Sequence, residues 1–280
     1  MTLTVPEAEA PATLLVAPRP ARHRPRPRGY ALGIRAAGPL VLIGLWWAAS
    51  ATGVLTADVL ASPPQVLSAT GELWSNGQLG DALETSLTRS ALGLLIGLTA
   101  GLGLGVLTGS TRLGDELLDS SVQVLRTVPF LALVPLFMVW FGINETAKVA
   151  LIGVATTFPM YVATSSGVRD ADRRLLEAMR SFGMGRWSLI RTVILPGALP
   201  SLLAGLRLSM TLSVIALIAA EEINATAGIG YLMTQAQNYA RTDILAVCIL
   251  IYGALGLLAD GTVRLLEYVA MPWARQGGAR

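Results

Sequence analysis

The stretch TSLTRSALGLLIGLTAGLGLGVLT, residues 85–108, decides what solvent this chain is built for. It is apolar for long enough to cross a hydrocarbon core, which is ~30 Å thick and needs roughly 20 mostly apolar helical residues. Gly93, Gly97, Gly101, Gly105 and Gly109 recur every four residues. On a helix that spacing makes one smooth face, against which a second backbone can approach closely. Packing within one chain and packing between subunits fit the stripe equally well, and it carries no transport role by itself.

Five more stretches have the same character: residues 36–55, with Trp46 and Trp47, and residues 121–141, 147–168, 202–220 and 244–265. Across the chain 53% of residues are apolar and only 14% are charged, against roughly 25% charged in soluble domains. The expectation is an all-α polytopic membrane protein of about six transmembrane helices, occupying residues 36–273.

The cations give an orientation. With the N-terminus inside, the inner side receives the run Arg19 to Arg35, then Arg112, Arg126, Arg169, Arg173, Arg174, Arg180, Arg186, Arg191, Arg207, Arg264, Arg275 and Arg280, and the outer side only Arg89, Lys148 and Arg241. That imbalance places both termini in the cytoplasm. Residues 1–35 read as a disordered Arg- and Pro-rich cytoplasmic tail, and residues 274–280 as a second, short one. The patch Leu14-Leu15-Val16 is too short for a signal-peptide core. On the outer side, Ser62-Pro63-Pro64 starts a short interfacial helix reaching Trp74, because proline is tolerated in a first helical turn.

Several classes of chemistry are absent. The sequence holds no Gly-x-x-x-x-Gly-Lys-Ser/Thr loop, no His-Glu-x-x-His and no Gly-x-Ser-x-Gly, its one histidine is His23 and its one cysteine is Cys248. No catalytic residue, cofactor or metal site is therefore expected, and any ATP would be bound by a partner subunit. The basic runs flank apolar spans instead of alternating with aromatics, which argues against nucleic acid as a partner and for the lipid bilayer. Arg89, Arg126, Lys148, Arg207, Asp260 and Arg264 all fall within about two turns of a span end, where long side chains snorkel. Asp260 and Arg264 are i,i+4 partners. An ion-coupled carrier, which needs ionisable groups near the midplane, finds little support.

The most informative loop is 169–200. Its segment DRRLLEAMRSFG, residues 172–183, places Leu175, Ala178, Met179 and Phe182 on one helical face and Arg173, Glu177 and Arg180 elsewhere. Gly183 and Gly185 stop the helix. The apolar stripe must be covered, and membrane surface or a partner groove serves equally.

At this loop the chain resembles the permease subunits of ATP-binding-cassette importers. Glu177-Ala178, Gly183 and Leu195-Pro196 match their signature of Glu-Ala-Ala, three residues, Gly, nine residues and Ile-x-Leu-Pro. Met179 and Val193 depart from it, both by apolar replacement. The likeness extends over about residues 40–273 and is strongest to the nitrate, sulfonate and taurine subgroup, aliphatic-sulfonate permeases above all. It is carried by Leu125-Arg126-Thr127-Val128-Pro129, Leu131 to Leu136, Trp140-Phe141-Gly142-Ile143, Leu195 to Ser201, Gly228-Ile229-Gly230-Tyr231-Leu232 and Leu258-Ala259-Asp260.

The resemblance implies a type I importer permease architecture. In it the helix around Glu177 is a coupling helix that docks in a cytoplasmic ATP-binding-cassette ATPase, through Leu175, Glu177, Ala178, Met179, Phe182, Gly183, Leu195 and Pro196. A second permease, as a homodimer, would complete the pathway, and an external solute-binding protein would deliver a small organic anion, with aliphatic sulfonate first. Taurine, nitrate, bicarbonate and vitamin precursors are the alternatives. Arg126, Pro129, Pro135 and Glu221 are candidates for the pathway or its gate. Arg126 fits anchoring of a helix end better than attraction of an anion. The acidic pair Glu221-Glu222 repels an anion, so a helix end or docking of the binding protein suits it better than ligand contact.

Overall fold

The computed structural model describes residues 28–111, 114, 116, 120–125, 127–222 and 225–271. The expected tail over 1–27, Arg126 and the expected C-terminal tail over 274–280 lie outside the described residues. Residues 1–46 and 47–280 form two separate units. Every regular element among the described residues is helical.

Helix α1 (Arg28–Ala51) contains Pro39 and ends before Gly53, whose φ is +72°. It starts earlier and stops sooner than the expected 36–55. In the second unit, α2 (Pro63–Ser75) carries proline at its start, and the Gln65 Oε1 accepts the Ser62 backbone N–H at 2.8 Å. That bond satisfies one of the orphan donors of a helix start. Helix α3 (Gln78–Ser110) extends the expected second span by about two turns at its N-terminal end.

The expected third span is not one helix. It is broken into α4 (Ser120–Leu125), a 3-10 turn (Phe130–Leu133) and α5 (Val134–Phe141). Pro129 and Pro135 cause the break. A proline has no N–H to give the ladder and disfavours helical backbone in the residue before it. Pro129 therefore caps the 3-10 turn and Pro135 falls in the first turn of α5, the one place a helix accepts it. The positive φ of Gly142, +74°, then turns the chain into α6 (Glu145–Arg169).

Beyond α6 lie α7 (Arg173–Ser181), α8 (Arg186–Leu189), a π-helical turn (Ile190–Ile194) and α9 (Leu195–Glu222). Pro196 accounts for the π turn. Its ring cannot bond or closely approach the carbonyl four residues back, and the wider turn, in which the Leu195 N–H reaches the Ile190 carbonyl, makes room for it. The chain ends with α10 (Ile229–Asn238) and α11 (Thr242–Ala270).

Among the described residues, four helical stretches are long and apolar enough to cross a membrane: Gln78–Ser110, Glu145–Arg169, Trp187–Glu222 and Thr242–Ala270. The other two expected spans contribute shorter apolar helices, Ala37–Ala51 and Phe130–Phe141. The centre of the second unit is α6, packed along α3 on one side and α9 on the other, with α9 and α10 leaning on α11.

The glycine stripe lies in the α3–α6 seam, which settles it as packing within one chain. A Cβ at Gly97 would come within 2.5 Å of the Gly153 carbonyl oxygen, one at Gly101 within 2.6 Å of the Thr157 carbonyl, one at Gly105 within 2.5 Å of the Thr164 Cβ and one at Gly109 within 2.7 Å of the Val168 Cβ. Close contact of this kind stabilises helix pairs where lipid supplies no hydrophobic drive between them. Elsewhere the core is ordinary: Ile152, Ala155, Ala216, Leu217, Ile229, Cys248 and Tyr252 cluster between the helices. Val134 and Phe137 pin α5 to Leu151 and Ala220. Large apolar side chains such as Leu95, Leu250, Leu257 and Val269 are more than half exposed, as expected for surfaces facing lipid.

Candidate functional site

Two places hold the chemistry. The first is the short segment from α7 to the start of α9. Asp172 caps α7, its Oδ1 accepting the Arg174 N–H at 2.9 Å. At the other end the Gly183 N–H reaches the Arg180 carbonyl at 2.9 Å and the Met184 N–H the Met179 carbonyl at 3.1 Å. With Gly183 at φ +84°, these two bonds complete a Schellman ending, in which the last carbonyls are satisfied by a left-handed residue.

Leu175 and Met179 line a groove of about 440 Å³ together with Met184, Val193, Pro196 and Pro200. The structure therefore brings Leu175, Met179 and Pro196 together. Leu195 is half-buried beside them, whereas Glu177, Ala178 and Gly183 are exposed and Phe182 is 84% exposed. Phe182 thus leaves a large apolar side chain exposed at the end of a charged, capped helix.

The second place was not foreseen. Arg89, Lys148 and Glu221 are 3%, 5% and 0% exposed, so the expectation that Arg89 and Lys148 snorkel to water is corrected. Ion-pair partners within the protein make their burial tolerable. The Arg89 Nε and Nη2 both donate to the Glu145 carboxylate, the latter at 2.6 Å, while Lys148 Nζ reaches Glu145 Oε1 at 3.0 Å. Arg89 Nη1 donates to Glu221 Oε1 at 2.7 Å and to the Ala227 carbonyl at 2.7 Å.

Glu221 is held from every side. It accepts from Ser86 Oγ at 2.7 Å, from the Gly230 N–H at 2.9 Å and from Tyr252 Oη at 3.1 Å. Ser86 Oγ in turn accepts the Ile229 N–H at 2.9 Å. The start of α10 thus wraps a carboxylate, the charge favoured at a helix N-terminus. Gly228 and Gly230 permit it: a Cβ on Gly228 would lie 2.6 Å from Arg89 Nη1, and one on Gly230 2.9 Å from the Glu221 carbonyl carbon.

With Glu221 fully buried, its expected contact with an external protein is closed; only Glu222 beside it is exposed. Sequence reading missed the pairing because Arg89 and Glu221 are 132 positions apart. The one signal was the Gly-x-Gly seven residues after Glu221.

Of the other candidates, Pro129 and Pro135 are exposed at the two breaks of the third span. Asp260 pairs with Arg264 at 2.7 Å and is joined by Arg207, which also reaches Glu267 at 2.9 Å. Outside the spans, Arg241 is bonded to Asp243 at 2.8 Å and to Glu72 at 3.4 Å, and the Asp243 bond raises its pKa above the ordinary arginine value. No cluster of His, Cys, Asp and Glu among the described residues could hold a metal ion.

The protein family described as binding-protein-dependent transport system inner membrane component matches residues 93–268. The chain belongs to that family. An Escherichia coli (strain K12) protein named as an aliphatic sulfonates transport permease, SsuC, is 43% identical to this inner membrane component over 235 residues, 84% of this chain and 89% of that one. The taurine transport system permease protein TauC of the same strain is 32% identical, covering 83% and 86% of the two chains. Among solved structures, a crystal structure of an amino acid ABC transporter with histidines is 21% identical and superposes with a TM-score of 0.57, covering 72% of this chain and 97% of that one. The inner membrane component therefore has the all-α, type I importer permease architecture that its signature implied.

Proposed function

We propose that this chain is the translocating subunit of an ATP-driven importer for a small organic anion, first an aliphatic sulfonate. The observation that carries the reading is its 43% identity, along 89% of the relative's length, to a permease named for aliphatic sulfonates. Because the sequence contains no phosphate-binding loop, ATP is bound by a separate cytoplasmic ATPase. Two copies of the chain form the conduit, and both termini face the cytoplasm.

The α7 segment is the docking lever. Its exposed stripe, Ala178 and Phe182 with Leu175 and Met179 behind, seats in a groove of the ATPase, and Leu195-Pro196 carries the motion into α9. A lever must be stiff, which the Asp172 cap and the Gly183 ending supply. Substrate recognition falls largely to the external binding protein, since the buried Arg89 already gives four of its five N–H donors to Glu145, Glu221 and Ala227. Pro129 and Pro135, exposed where the third span breaks, mark the gate.

Co-purification with the ATPase and uptake assays test this together. Glu177→Arg or Gly183→Pro is expected to abolish ATP-coupled uptake, and full uptake by either variant would refute the docking role. Growth of a deletion strain on single sulfur sources tests the substrate: loss on alkanesulfonates supports the reading, and loss confined to taurine favours the second reading, which the 32% identity to TauC supports. Uptake that proceeds without any ATPase would instead identify an ATP-independent carrier.

A further inference from the structure

The ionic knot, buried except at Glu145, joins more of the molecule than any other contact described. Ser86 and Arg89 come from α3, Glu145 and Lys148 from α6 and Glu221 from α9. The backbone N–H groups of Ile229 and Gly230 open α10, and Tyr252 stands on α11. Two acids and two bases leave the knot neutral. Two of its members, Arg89 and Glu221, are almost wholly withdrawn from solvent, where an ion pair is hard to break because separation strands both charges. The α3–α6 glycine seam runs inward from the same point. By contrast, among the described residues α5 meets this group through apolar contacts, Val134 and Phe137 against Leu151 and Ala220, and prolines interrupt the chain on its approach.

We propose that Arg89 and Glu221 are positioning residues that fasten α10 and its Gly228 turn to the long helices, so that α3, α6, α9, α10 and α11 move as one body through the transport cycle. This rests on the importer reading but makes a separate claim. Motion is then confined to what the knot does not hold, the Pro129–Pro135 stretch and the α7 lever. The outer element α10 keeps its place over the spans in every state.

Distance measurement between spin labels in the complete transporter, with its ATPase and binding protein in a bilayer, tests this. Labels go on the exposed positions Thr146, beside the knot on α6, and Gln237, on α10, with Val139 on α5, 80% exposed, as the moving reference. Native Cys248 is fully buried and stays unlabelled. The expected result is one narrow Thr146–Gln237 distance that is the same with and without ATP, while the Val139–Gln237 distance shifts. Glu221→Gln retains shape but not charge, and it is expected to broaden the Thr146–Gln237 peak. Rescue of a narrow peak is not expected from Arg89→Lys, which keeps charge but loses the two-pronged grip.

If the Glu221→Gln complex cannot be recovered, Ser86→Ala carries the test, since it removes only the hydroxyl that bridges Ile229 and Glu221; a broadened peak supports the proposal. A Thr146–Gln237 distance that changes with nucleotide in the unaltered protein overturns it, as does a narrow peak that survives these variants. Absence of a nucleotide effect on every pair would count against the importer reading, and the variant peaks would still decide the positioning role.

Discussion

Gly97 and Gly103 are separated by six positions on α3 and have opposite prospects. A methyl at Gly97 meets Gly153 and Thr156 of α6, whereas a methyl at Gly103 meets nothing within 4 Å. Gly97→Ala should therefore force the seam apart and destabilise the fold by about 1–3 kcal/mol, the usual cost of overpacking. Gly103→Ala should be neutral or slightly stabilising through helix propensity. Thermal unfolding of the two variants in the same detergent distinguishes them. At this scale the sequence was half legible. The four-residue glycine period announced a close approach, because periodicity is a local property. The partner was not announced, and neither was the pairing of Arg89 with Glu221, because contacts between distant positions leave no mark on either local pattern. An acid at the end of an apolar run reads as a helix end until the basic side chain facing it is known.

Among the elements, α7 was legible to within a residue, since its cap, amphipathic stripe and glycine stop are all written locally. Its ending makes a sharp expectation. Gly183 adopts φ +84° with open space around it, so Gly183→Ala meets no steric block and costs only the left-handed backbone, about 1–2 kcal/mol. Asp172→Ala removes the N-terminal cap, about 1 kcal/mol. Each should loosen α7 and weaken co-purification of the ATPase, the double variant more than either alone, as a pull-down titration would show. The third span was misread as continuous because hydropathy averages over Pro129 and Pro135, while the hydrogen-bond ladder does not. The π turn before Pro196 escaped notice for the same reason: a proline's effect on the preceding carbonyl is geometric and has no hydropathy.

For the whole molecule, the lipid-embedded, all-helical character followed from composition and run length, and it is the level at which sequence speaks most plainly. Sidedness is the expectation still open to a simple check. With Cys248 fully buried, the chain is a clean background for thiol labelling. Ser75→Cys, exposed at the end of α2, should react with a membrane-impermeant maleimide in intact cells. Ser181→Cys, exposed at the end of α7, should react only in inverted vesicles. Labelling of Ser181→Cys from outside would reverse the topology and remove the lever from the side where ATP is found.

The glycine seam has a kinematic consequence. Each gap on α3 receives one particular bump of α6, in the manner of a rack engaged with its mate. A slide of about 1.5 Å, the rise of one residue, would carry Ile152, Thr156, Met160 and Thr164 off the glycines they sit over. Translation between the two helices thus costs every rung of the seam its fit at once, so shear along this pair is resisted collectively.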